Sequence, residues 1–188
     1  MDFLIRTIRA DEWERAREIR LAALQDPVAH LAFLETYEVA SERPDSFWQE
    51  RAEGASESGK SVRQFVAEAP DGSWAGTITV LVERPSDEVR FGEAAKVDQT
   101  HIVGVYVRPE ARGTGVTEAL FRAGVEWSWS LPAPEIQRVR LYVHEDNARA
   151  GAFYRRFGFV ATGETVAVPG DEQAREVEYE IRRSGAAS

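Results

Sequence analysis

The 188-residue chain has no cysteine. Disulfides, thiolate nucleophiles and cysteine metal sites are excluded, and the lack suits a reducing cytoplasm, where the chain is expected to work. No eighteen consecutive residues are apolar, so no membrane span is expected. The opening MDFLIRTIRADEWERAREIR lacks the apolar centre of a signal peptide and has too many acids for a transit peptide. Basic tracts with interleaved aromatics are absent as well. With 23 Lys and Arg against 32 Asp and Glu, the formal net charge is −9, so duplex nucleic acid would be repelled. Repeats and linker-like stretches are missing, and no metal is expected.

What is present is an ordinary globular composition, 43% hydrophobic. FLIRTI (3–8) alternates as a strand. Asp11 opens an amphipathic helix to Leu24, with Trp13, Ala16, Ile19 and Ala23 on one stripe. Residues 25–60 read as irregular to helical, with a helix over DSFWQERAEG (45–54) capped by Asp45 or Ser46 and ended at Gly54. SVRQFVAEA (61–69) and SWAGTITVLVE (73–83) are strands around the turn PDG, and residues 84–97 form a loop. THIVGVYV (100–107) is a strand. VTEALFRAGVEWSWS (116–130) is a helix facing inward with Val116, Ala119, Leu120, Ala123 and Trp127. After the breaker PAPE come a strand QRVRLYV (137–143) and a helix NARAGAFYRRF (147–157) closed by Gly158 and Phe159. FVATGETVAV (159–168) and REVEYEIRR (175–183) are strands around the turn PGDEQA, and residues 184–188 read as a frayed tail. The order β-α-α-β-β-β-α-β-α-β-β predicts one mixed α/β domain over residues 1–188.

Between the strand ending at Val107 and the helix starting at Val116 lies RPEARGTG. The first amides of such a helix have no intrahelical acceptor, and the helix dipole adds positive potential there. Gly113 and Gly115 carry no Cβ, so a phosphate could approach the backbone. Thr114 and Thr117 offer hydroxyls and Arg112 a charge. A nucleotide P-loop would need a lysine, which GTGVTE lacks, and a dinucleotide fingerprint would need a glycine where Glu118 stands. A plain strand-to-helix turn is the bland alternative.

About thirty residues later comes LYVHEDNARAGAFYRRFGF. Together the two stretches resemble motifs A and B of the GNAT superfamily of acyl-CoA-dependent N-acyltransferases. Arg112-Gly113-Thr114-Gly115-Val116-Thr117 matches Gln/Arg-x-x-Gly-x-Gly/Ala, except that Thr117 replaces the usual Gly or Ala. The later stretch supplies the helix-opening Asn, the FY and the GF. The resemblance implies a mixed central sheet of about six or seven strands flanked by about four helices. It implies acetyl-CoA as co-substrate between splayed strands near 101–107 and 137–143. The pyrophosphate would meet the amides of residues 112–118, and the pantetheine the edge around Val105 and Val107. Asn147 is implied as a cofactor contact, though it is equally a good helix cap.

Acyl transfer to an amine needs a neutral nucleophile, a held oxyanion and a protonated leaving thiolate. Tyr154 matches the family's acid position and lies on one helical face with Asn147. A core role beside Ala150, Phe153 and Phe157 is its alternative. Relatives often place a glutamate base where His101 stands, so His101 is a candidate base, with Asp98 and His144 as alternatives. Gly104 could mark a bulge that reverses side-chain parity along this strand. Glu35, Glu38, Glu42 and Asp45 fall in the segment covering the acceptor site in relatives, and could attract a cationic amine or simply face solvent. The expected activity is acetyl transfer to a primary amine of a small molecule, peptide or protein, with homodimerisation left open. A non-catalytic acyl-CoA-binding module is the alternative.

Overall fold

The computed structural model describes residues 2–185. Seven strands, β1 (Leu4–Thr7), β2 (Val62–Glu68), β3 (Trp74–Glu83), β4 (Gln99–Val107), β5 (Arg138–His144), β6 (Val160–Val168) and β7 (Asp171–Arg182), run in the order β1-β2-β3-β4-β5-β7-β6. The helices are α1 (Trp13–Leu24), α2 (Ala29–Ala32), α3 (Tyr37–Ser41), α4 (Asp45–Ala55), α5 (Val116–Ser130) and α6 (Ala148–Phe157). This is the expected mixed α/β order, with α2 and α3 filling the stretch read as irregular to helical.

Three local expectations need correction. Pro44, not Asp45 or Ser46, is the N-cap of α4, and the helix runs past Gly54 to Ala55. Proline's fixed φ, here −69°, suits the extended entry, and Asp45 instead favours the first turn through the helix dipole. In α5 the buried face is Val116, Leu120, Phe121 and Val125, while Ala119, Ala123 and Trp127 are half-buried. A helix apolar around much of its circumference does not fix its stripe by periodicity alone. The β6–β7 connection is tight at Pro169-Gly170, with Gly170 at φ 84°, and Asp171 to Ala174 already belong to β7. Their polarity reflects an exposed strand end. Of the expected tail, Ala186–Ser188 lie outside the described residues.

The chain divides into two compact units, residues 1–81 with 104–124 and residues 82–103 with 125–188. In the first, β2 pairs antiparallel with β1 and β3. The stripe Trp13, Ala16, Ile19, Ala23 of α1 packs with Ala52 and Ala55 of α4 against Ile8, Val66, Trp74 and Tyr106.

In the second unit β5, β7 and β6 pair antiparallel, and β4 pairs parallel with β5 only at Gln99–Arg138, Thr100–Val139 and His101–Arg140. Strand alternation puts Arg138, Arg140 and Tyr142 of β5 on one face. There they build a buried charged network. Arg140, 1% exposed, donates to Glu83 at 2.9 Å, Glu178 at 3.2 Å and the Glu93 carbonyl at 2.7 Å. Arg138 donates to Gln99 at 2.7 Å and Glu180 at 2.8 Å.

Candidate active site

The glycine turn forms as expected in kind, but its side chains are used differently. A 3-10 turn over Pro109–Ala111 leads in, then Gly113 and Gly115 adopt φ of 78° and 86°. Both are exposed, and a Cβ on either would meet nothing within 4 Å. The backbone therefore lies open to a ligand at the start of α5, where Val116, Thr117 and Glu118 carry the first helical amides. Arg112 offers no spare charge. Its Nη2 is 2.5 Å from Asp26 and its Nε donates to the Val107 carbonyl at 3.0 Å, tying the end of β4 to the turn. Burial alone would raise Asp26, but the bond to Arg112 leads the effects that hold it below the usual carboxylate range. The Thr114 hydroxyl donates back to the Ala111 carbonyl at 2.5 Å. What remains for an anion is backbone, with Thr117 at its edge.

On β4, Gly104 takes φ 62°. Pairing of β4 to β5 runs over Gln99–His101. His101 itself is 2% exposed. Its Nδ1 lies 3.1 Å from Glu83, and its ring packs with Phe91 and Tyr142. That enclosure supports His101 less well as a direct base than the sequence suggests, because a base must reach a substrate proton. Asp98 precedes β4 and accepts the Gln137 amide on its carbonyl.

In the second unit Asn147 caps α6, accepting the Ala150 amide at 3.2 Å. Tyr154, 7% exposed, sits two turns later against Phe153, Phe159 and Tyr179. Burial, with the nearby Glu176 carboxylate adding, raises its pKa and keeps the phenol protonated. Glu176 was not anticipated from the sequence. It stands opposite His144 in the β5–β7 register, and burial raises its pKa to about 7. The Nδ1 of His144 accepts the Asp146 amide at 3.1 Å. Thus Tyr154 and His144 each neighbour Glu176.

The raised Glu176 makes a stability prediction. An acid with a raised folded pKa stabilises the fold in its protonated form. That contribution is complete below the ordinary value of 4.5 and is lost as pH rises to about 7. Glu176→Gln is therefore expected to raise Tm at pH 8 and to leave it near wild type at pH 4, measured by thermal denaturation at both.

A second feature was also missed. In the first unit a cavity of about 30 Å³ is lined by Arg20, Trp48, Arg51, Gln64, Thr77, Thr79, Gly104 and Tyr106 among others. Arg20 falls on the apolar stripe of α1, and Arg51 beside Trp48, Ala52 and Ala55 on α4. A charge on an apolar stripe was the available signal. Of the acids that could draw a cation or simply face solvent, Glu35 is bonded to Arg20 at 3.1 Å and Arg43 at 2.8 Å, and Asp45 pairs with Arg17 at 3.3 Å.

The acetyltransferase (GNAT) family model matches residues 13–159. The chain belongs to the GNAT acetyltransferase family. Similar curated proteins include the mycothiol acetyltransferases of Saccharomonospora viridis, 38% identical over 95 residues, and of Pseudarthrobacter chlorophenolicus, 37% over 70 residues. Those matches take in 50% and 37% of this chain but only 29% and 20% of the relatives. Among solved structures, a phosphinothricin acetyltransferase from Sinorhizobium meliloti with acetyl-CoA is 18% identical at TM-score 0.73, covering 100% of this chain and 92% of that one. Arabidopsis thaliana NAA60 with acetyl-CoA is 18% identical at TM-score 0.67, covering 98% and 100%. These likenesses establish the fold.

Proposed function

We propose that the chain, as one domain over residues 1–188 working in the cytoplasm, transfers the acetyl group of acetyl-CoA to a primary amine. The observation that carries this reading is the open glycine turn. Gly113 and Gly115 are held at positive φ with free space where side chains would be, at the start of α5. That shape suits a pyrophosphate on backbone amides from Gly113 to Glu118. The stretch of β4 around Val105 and Val107 would take the pantetheine as an added strand.

Bound acetyl-CoA supplies an activated thioester carbonyl. The amine nitrogen bonds to its carbon, the carbon–sulfur bond breaks, the amine loses a proton and the thiolate gains one. In this reading a β4 amide near Val107 donates to the oxyanion, and Tyr154 donates toward the departing sulfur. For the base, the His144–Glu176 pair is favoured over His101 and Asp98, since Glu176 ionises near neutrality and lies close enough to act on Tyr154. The enclosure of His101 also favours a second reading, a non-catalytic acyl-CoA-binding module. Release of CoA thiol from acetyl-CoA across an amine panel separates the two. Amine-dependent release is expected, and CoA binding without any release would leave the binding module.

A further inference from the structure

The cavity of the first unit presents hydrogen-bond donors and positive charge. Its lining holds two guanidiniums and no carboxylate. Two of its donors are buried without any acceptor, Arg20 Nε and Trp48 Nε1. Buried donors left unpaired cost stability, so a pair of them on residues that line one cavity calls for an explanation. Of the lining's other polar groups, Gln64 donates to Thr77 at 3.0 Å, and Thr77 to the Phe65 carbonyl at 2.9 Å.

The charge balance agrees. Glu35 is the acid bonded to Arg20, and it is shared with Arg43. Arg51 has no ion-pair partner among the described residues. Its pKa is lowered by burial first and by the charge of Arg20 second, with Arg43 adding and Glu35 opposing. Arg20 is likewise lowered by burial, partly offset by Glu35. Both guanidiniums would gain from a counter-anion. Arg51 is nonetheless exposed as a whole residue, so it can meet an entering ligand. A space of about 30 Å³ suits a small head group rather than a long chain. A planar carboxylate matches a guanidinium fork. Gly104 and Tyr106 of β4 complete the lining, so a group bound there is beside the strand assigned above to the acyl donor. None of residues 112–118 lines it, so it is separate from the glycine turn.

We infer that this cavity is the acceptor subsite and that the acceptor is an amine carrying a carboxylate, an amino-acid-type substrate read by Arg20, Arg51 and Trp48. The inference rests on the acetyltransferase reading given above. It differs from the alternative in which acids of the 35–45 segment draw in a cation.

The test compares matched acceptors with acetyl-CoA: each common amino acid, its amide and its decarboxylated amine, with phosphoethanolamine against ethanolamine as the phosphate arm. A carboxylate is expected to raise kcat/KM roughly ten- to hundredfold over its absence, the scale of hydrogen bonds to a charged group. Arg51→Gln, at an exposed position and so compatible with folding, should remove most of that advantage through KM. The second readout is calorimetric titration with N-acetyl amino acids and N-acetyl amino amides, which needs no turnover. Equal use of amides and amines, a preference for phosphate over carboxylate, or an unchanged ratio in Arg51→Gln would each overturn the inference. If nothing is acetylated but N-acetyl amino acids bind in an Arg51-dependent way, the anion subsite stands and the transfer reading falls. If there is neither turnover nor carboxylate binding, both fall.

Discussion

Tyr154→Phe is expected to lower kcat by about 10²–10³-fold, the range for losing one hydrogen-bond donor to developing charge, while CoA affinity stays near wild type. The ring of Tyr154 is held by Phe153, Phe159 and Tyr179, and phenylalanine keeps those contacts. The change therefore removes a hydroxyl and little else. Burial raises the pKa of this phenol, which has two consequences. The donor is protonated at every working pH. Full proton transfer to a thiolate is uphill, so its contribution is a hydrogen bond that strengthens as the sulfur gains charge, a preference for the transition state over the ground state. The effect should thus appear in kcat rather than KM. Steady-state kinetics decide the matter, and wild-type kcat in the variant would make Tyr154 a core residue only.

The largest effect on stability is expected at Arg140. Its guanidinium bonds to Glu83, Glu178, Tyr142 and the Glu93 carbonyl from a position 1% exposed. Removing one member of such a network leaves carboxylates buried without their cation, which costs about 3–5 kcal/mol. For a chain of this length that is a fall in Tm of roughly 6–20 °C. Arg182→Ala is the control, because Arg182 pairs with Glu180 from a position 53% exposed, and such surface pairs contribute about 0–1 kcal/mol. Thermal denaturation of both variants at pH 7 should separate them clearly. An Arg140→Ala protein melting within a degree or two of wild type would mean that the network contributes little.

The strands, the helices and the glycine turn were legible because their signals are local. The span of α5 coincides with the expected 116–130, and Gly158 closes α6 with the positive φ its position called for. Side-chain partners were not legible, because they depend on residues far away in sequence. Arg112 looked like a free charge until Asp26, 86 positions away, was found beside it. His101 could be read as a candidate base, but its contacts with Glu83 and Phe91 could not be read. Glu176 gave no sign in a polar, alternating strand, since its raised pKa comes from burial that only the tertiary fold creates. Arg20 and Arg51 stood on apolar helix faces, a visible anomaly, but their shared cavity required α1 and α4 to be packed together.

The claim on which the rest depends is that the glycine turn holds CoA. Calorimetric titration of CoA into the wild type and into Gly115→Val addresses it most directly. Gly115 sits at φ 86°, and the protein leaves open space at its Cβ position. A valine there would strain the turn and stand where the phosphate must approach. Circular dichroism and Tm establish that the variant is folded. The account predicts saturable one-to-one binding by the wild type and a loss of about tenfold or more in the variant, at least 1.4 kcal/mol. No binding by the wild type, or equal affinity in a folded Gly115→Val protein, would contradict it.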